Sequence, residues 1–197
     1  MNRRRLVTAA SLSLALILGI FPMKQGHSQA PKTTYPMMAP LDQYLMADRN
    51  AEVALARSAA PDAISSEARI LVLGRHGYET AIEGTNGFVC VVERGWMSPS
   101  DAPEFWNPKL RGPICFNPPA VRSVLPTTIK RTEMVLAGKT KDEIVAGNKA
   151  AFEKGELPPL EPGAMSYMMS KDAYLTDGGG HNLAHLMFYA PPLEGKA

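Results

Sequence analysis

Residues 69–95 read RILVLGRHGYETAIEGTNGFVCVVERG, and the pairing of this stretch decides the fold. Asn86-Gly87 lies between two β-prone runs, and Asn-Gly is the preferred dipeptide of a two-residue type I′ hairpin, whose central residues both need φ > 0. A hairpin there sets Thr85 opposite Phe88, Glu83 opposite Cys90, Ile82 opposite Val91, Ala81 opposite Val92 and Glu79 opposite Arg94. Alternation then places Tyr78, Thr80 and Ile82 on one face with Val89, Val91 and Glu93, and Phe88, Cys90 and Val92 on the other with Ala81. Apolar residues on both faces indicate a central strand. Upstream, the apolar run 70–73 closes at Gly74-Arg75-His76-Gly77, a second hairpin turn, so the stretch is expected to be a three-strand antiparallel meander.

Working outward, helices are expected at 41–60, with Asp48 able to cap a second segment and Pro61 ending it. Asn117-Pro118 has the form of an N-cap followed by proline at the first helical position. Pro126 opens a helix that stops at Gly138. Thr140-Lys141-Asp142-Glu143 is a capping box for a helix that buries Ile144, Ala151 and Phe152. Alternation of Met165, Tyr167 and Met169 with serines and Met168, and the run from His185 to Tyr189, read as late strands. The expected class is α+β, a small antiparallel sheet with three to four helices in a single domain over 41–197.

Residues 1–30 have the form of an export signal: Arg3, Arg4 and Arg5, an apolar run over 6–21 too short and too rich in Ser, Thr and Ala to span a membrane, and Ser28-Gln29-Ala30 for cleavage. Arg3-Arg4-Arg5-Leu6-Val7 also fits a loose twin-arginine pattern. Residues 31–40 read as a disordered lead-in. The whole chain has 21 Lys+Arg and 19 Asp+Glu; the first 30 residues carry four of the basic residues and no acids, so the remainder has 17 against 19. Its net charge is therefore −2, which argues against a nucleic-acid or anionic-membrane footprint. No membrane span is expected after signal cleavage. Cys90 and Cys115 are the only two cysteines, and export to an oxidising compartment implies a disulfide between them that would pin the irregular segment 96–116 to the sheet.

Six phrases, VLGRHGYETA, GTNGFVC, PEFWNPK, PICFNP, RSVLP and HLMFYAP, together resemble a group of exported bacterial proteins with no assigned function, over about 48–190. The resemblance implies export and no particular activity.

No nucleophile elbow, phosphate loop, H-E-x-x-H or Cys-x-x-Cys pair is present. Three readings of function follow. The leading one is a non-catalytic exported module that binds an unknown protein or small-molecule ligand through the segment 96–116. Its Trp96, Phe105 and Trp106 either cover the sheet as core or form a lid over a ligand. The second is an enzyme of unrecognised type using His76, a sheet glutamate such as Glu79, and His185; Glu79, Glu83 and Glu93 otherwise read as solvated strand residues. The third is a metal-handling protein using Met165, Met168, Met169 and Met187 near His181 and His185, since thioether and imidazole ligands suit copper(I). No cofactor or metal is expected. On a strand His181 and His185 would lie about 13 Å apart, too far to share one ion.

Overall fold

The computed structural model describes residues 35–178 and 183–191. The export signal, most of the lead-in and His181 lie outside the described residues. The elements are α1 (Arg49–Arg57), α2 (Asp62–Ser65), β1 (Arg69–Gly74), β2 (Gly77–Ile82), β3 (Val89–Glu93), β4 (Gly112–Phe116), α3 (Pro118–Ser123), α4 (Leu125–Leu136), α5 (Lys141–Glu153), β5 (Met165–Met168) and β6 (His185–Phe188). They form an α+β domain around one six-stranded mixed sheet of order β2-β1-β3-β4-β5-β6.

The order corrects the expected meander. The Gly74–Gly77 hairpin forms, with Gly77 at φ 125°. Asn86-Gly87 does not close a second one. Gly87 is left-handed at φ 77°, but no described residue other than glycine has positive φ, so Asn86 cannot take its place in a type I′ turn. Instead β3 runs parallel to β1 on the side away from β2, pairing Arg69 with Val89 and Ile70 with Cys90. The connection crosses the start of β1. Thr85 N–H donates to the Glu67 carbonyl at 2.8 Å and Arg69 N–H to the Phe88 carbonyl at 2.9 Å. The Asn86 amide donates to the Ile64 carbonyl at 2.7 Å, while its oxygen accepts from Phe88 N–H at 3.0 Å. The crossing needs Gly84: a Cβ there would lie 2.1 Å from Arg69 N. Glu79 consequently pairs with Arg49 rather than with Arg94.

The sheet is covered on both faces. Ile70, Cys90, Val92 and Cys115 point to one side and pack with Ala56, Ala59 and Ala60, from α1 and the turn after it. Val89, Val91, Ile114 and Phe116 point to the other, against Ala120 of α3 and Leu125 of α4. Cys90 and Cys115 are register partners on β3 and β4 and are joined by a disulfide. No helix among the described residues is long and apolar enough to cross a membrane.

The caps form where their residues stand: Asp48 on α1, Asn117 on α3 and the Thr140–Glu143 capping box on α5. Among the described residues five helices form where three or four were expected. The run 41–60 breaks into a single 3-10 turn at Leu41–Gln43 and α1, and α2 follows Pro61. Phe152 is 48% exposed, not buried. On α4 the inward stripe is Leu125, Thr128, Thr132 and Val135, so two polar side chains lie on its buried face.

Candidate functional site

The residues singled out from the sequence do not converge. His76 sits exposed in the β1–β2 turn and Glu79 is exposed on β2, one edge of the sheet. His185 is exposed on β6, the opposite edge. Five strand spacings of about 4.8 Å put these edges roughly 24 Å apart, so the three side chains cannot share a substrate atom. His185 Nδ1 lies 2.7 Å from the Leu183 carbonyl.

Trp96 and Phe105 are buried to 0% and 1% exposure in a core cluster with Tyr44 and Leu73. The Trp96 indole N–H donates to Thr132 Oγ1 at 3.0 Å, and Tyr44 O–H donates to the Trp106 carbonyl at 2.8 Å. The long segment is therefore ordered by its aromatics and offers neither Trp96 nor Phe105 to a ligand. Trp106 borders a cleft with Met37, Met38 and residues 138–142. Of the methionines, Met168 points with the α3–α4 face, whereas Met169 lies beyond the end of β5. Among the described residues no group of three or more His, Cys, Asp or Glu side chains could hold a metal ion.

The structure brings together a different set. Between the sheet and the α3–α4 layer lies a cavity of about 340 Å³, within the range typical of small-ligand sites. Its floor is Ile114 and Phe116 of β4, with Met187 of β6 and Tyr189 just beyond it. Its roof is Val124, Thr127 and Thr128, and Phe152 and Leu160 stand at its side. A second cavity of about 260 Å³, lined by Leu110, Gly112, Met168 and Leu175 and bordered by Arg94 and Ser98, shares Glu93, Met97 and Met187 with the first. These three residues form a waist between two lobes.

Glu93 is the ionisable side chain common to both lobes. It ends β3 on the same face as Val89 and Val91, an alternation visible in the sequence, where it read as solvated. Its cover comes from far along the chain: Gly112 is its register partner, and Thr128 Oγ1 donates to its Oε1 at 2.9 Å. Burial pushes the carboxyl up to about 7, against the hydrogen bond from Thr128 and the field of Arg131, which favour the anion. Tyr189 closes the floor with its hydroxyl 3.0 Å from Ser166 Oγ. Burial pushes that phenol up to about 12, so it stays neutral.

The adjoining residue has the opposite fate. Arg94 turns to the other side and is wholly buried against Glu52 of α1, with Nη2 at 2.8 Å from Oε1. Its Nε donates to the Tyr44 carbonyl at 2.8 Å, its Nη1 donates to the Val92 carbonyl, and Leu73 N–H donates to Glu52 Oε1 at 3.1 Å. Such a pair is held by hydrogen bonds on both partners. It locks α1 and the segment before it to the end of β3 and so fixes the strand from which Glu93 projects.

Comparison with protein-family models, with curated proteins and with solved structures finds no match.

Proposed function

We propose that this is an exported binding protein for a small, mainly apolar molecule, held in the two-lobed cleft under α3 and α4. The observation that carries the reading is the cleft itself: an apolar cavity of about 340 Å³ with a single inward carboxyl at its waist. Apolar walls supply affinity and a few placed polar groups supply orientation. Glu93, Thr128 and the Tyr189 hydroxyl are those groups. The scaffold around them is pinned by the disulfide and the Glu52–Arg94 pair, which suits a preformed site.

Binding is tested with a neutral fluorescent probe, N-phenylnaphthylamine, and the variant Thr127→Trp, whose side chain fills the first lobe from α4. Saturable binding to the wild type that is lost in the filled variant is the expected result. Equal binding by both proteins refutes the site.

Export rests on Arg3–Arg5, the apolar run behind them and the small residues before Pro31, and the disulfide fits an oxidising compartment. N-terminal sequencing of the exported protein is expected to begin at Gln29 or Pro31. Retention in the cytoplasm with Met1 intact refutes export.

A catalytic reading survives through Glu93, without His76: a carboxyl near neutrality in an apolar cavity is suited to proton transfer. A bound molecule recovered chemically unchanged after prolonged incubation counts against it.

A further inference from the structure

We infer that the ligand is an organic cation, an apolar molecule carrying a protonated amine that lies against Glu93 at the waist of the cleft; the inference rests on the cleft being the binding site.

Two glutamates turn into the interior, Glu52 buried and Glu93 half-buried. Glu52 is matched by Arg94 at 2.8 Å. Glu93 has no ion-pair partner among the described residues, and the hydrogen bond it receives is from Thr128. A carboxylate offers about four lone-pair sites, so most of its accepting capacity is unused by protein donors, and the residue lines both cavities. Arg131, the α4 cation whose field acts on it, makes no direct ion pair with it: its Nη2 donates to the Ser98 carbonyl at 3.3 Å, its guanidinium lies 5.6 Å over the Phe105 ring, and its buried Nε has no partner among the described residues. Arg94 is spent on Glu52 and two carbonyls. The other groups whose fields couple to Glu93 are Tyr78 of β2 and Tyr189 after β6, both neutral phenols raised well above their ordinary range by burial. The protein thus turns a carboxyl inward that has the field of Arg131 nearby but no direct ion-pair partner among the described residues.

The walls fit the same chemistry. Met97 and Met187 at the waist present polarisable thioethers, and Phe116 and Tyr189 present rings, the surroundings that accept the methylene shoulder of an alkylammonium. The two lobes, about 340 Å³ and 260 Å³, leave apolar volume on either side of the carboxyl for the rest of the molecule. A carboxylate or phosphate ligand would instead bring like charge against Glu93.

The test uses the disulfide-intact protein and three probes of matched skeleton: phenylbutylamine, phenylbutanol and phenylbutyrate, titrated calorimetrically into wild type and Glu93→Gln. At about pH 8, with Glu93 ionised, the wild type is expected to prefer the amine to the alcohol by roughly tenfold or more, the size of one partly desolvated charge pair. Glu93→Gln should lose that preference while still binding the alcohol. The preference should also shrink at about pH 5, where Glu93 carries its proton. An alcohol that binds the wild type as tightly as the amine, a preference for the butyrate, or a preference that survives Glu93→Gln overturns the inference and leaves the cleft standing. Failure of all three probes on the wild type overturns the cleft and the inference together.

Discussion

Glu93→Gln is expected to stabilise the protein at alkaline pH and to do nothing at acid pH. The carboxyl moves from its ordinary 4.5 to about 7 on folding because burial penalises the anion more than Thr128 and Arg131 support it. At 1.36 kcal/mol per pH decade this gap is worth about 3 kcal/mol, and the partial access of the cleft to water lowers it to about 2–3 kcal/mol. The sign follows from linkage. Between the two values the folded protein binds more protons than the unfolded chain, so stability is fully present below about pH 4.5 and declines as pH rises through about 7. Glutamine keeps the shape and the oxygen that accepts from Thr128, but cannot ionise. The difference in unfolding free energy, variant minus wild type, should therefore be flat below about pH 4.5 and climb by about 2–3 kcal/mol by about pH 8. Taking the difference cancels the other carboxylates that titrate identically in both proteins, among them Asp177, which its tyrosine hydrogen bonds hold low. Urea unfolding followed by the fluorescence of the buried Trp96 and Trp106 reads it directly. With a slope near 2 kcal/mol per molar, the midpoint gap should open to about 1 M. A gap that stays constant across this range, or that closes with rising pH, refutes the desolvated carboxyl and the cleft electrostatics built on it.

Glu52→Ala strands the Arg94 guanidinium and the Leu73 N–H without their shared acceptor, and should cost about 3–5 kcal/mol in urea unfolding. Replacing both cysteines by alanine opens a bridge across a sequence separation of 25 and should cost about 3.5 kcal/mol by the loop-entropy relation, read in the same assay without reductant. Gly84→Ala places a Cβ 2.1 Å from Arg69 N and 2.5 Å from the Ala68 carbonyl carbon, so backbone must move and about 3 kcal/mol or more is lost. Gly138→Ala, with φ 75° and nothing within 4 Å, is its control: it should cost only the left-handed strain of about 1 kcal/mol. Equal thermal shifts for the two glycine variants would refute the close crossing at Gly84.

The parts of the fold that local chemistry decides were legible. Asp48, Asn117 and Thr140 cap helices because each side chain satisfies a backbone N–H within three residues of itself. The Gly74–Gly77 turn is equally local. Asn86-Gly87 was misread because the same dipeptide serves a turn that crosses a neighbouring strand, and the choice lies outside it. The hydropathy of the three strands did contain the answer. A meander would set β2 in the middle, burying Glu79 and Thr80 between two strands whose own residues are apolar on both faces. The observed order moves β2 to the edge, where both are exposed, and gives the interior to β1 and β3. Parallel pairing of β1 with β3 is the consequence, and the glycine at position 84 is what lets the connection cross.

Glu93 follows from the same reasoning carried one strand further. Once β3 is interior, a residue in phase with Val89 and Val91 must point at whatever covers that face, and a carboxyl there is a charge on an apolar wall. Identifying the cover was beyond local pattern, because it comes from β4, α4 and β6, which begin 19, 32 and 92 residues later. One signal was nevertheless present within α4 alone. Thr128 and Thr132 stand on its apolar stripe beside Leu125 and Val135, and threonine hydroxyls on a buried face require partners. Thr132 meets the Trp96 indole, and Thr128 meets Glu93. Polar residues in the apolar phase of two distant elements thus mark a place where those elements meet. Of the two meetings, the indole's is complete, since its one N–H is used. The carboxyl keeps accepting capacity in hand and opens onto a cavity, and the proposed site rests on that surplus.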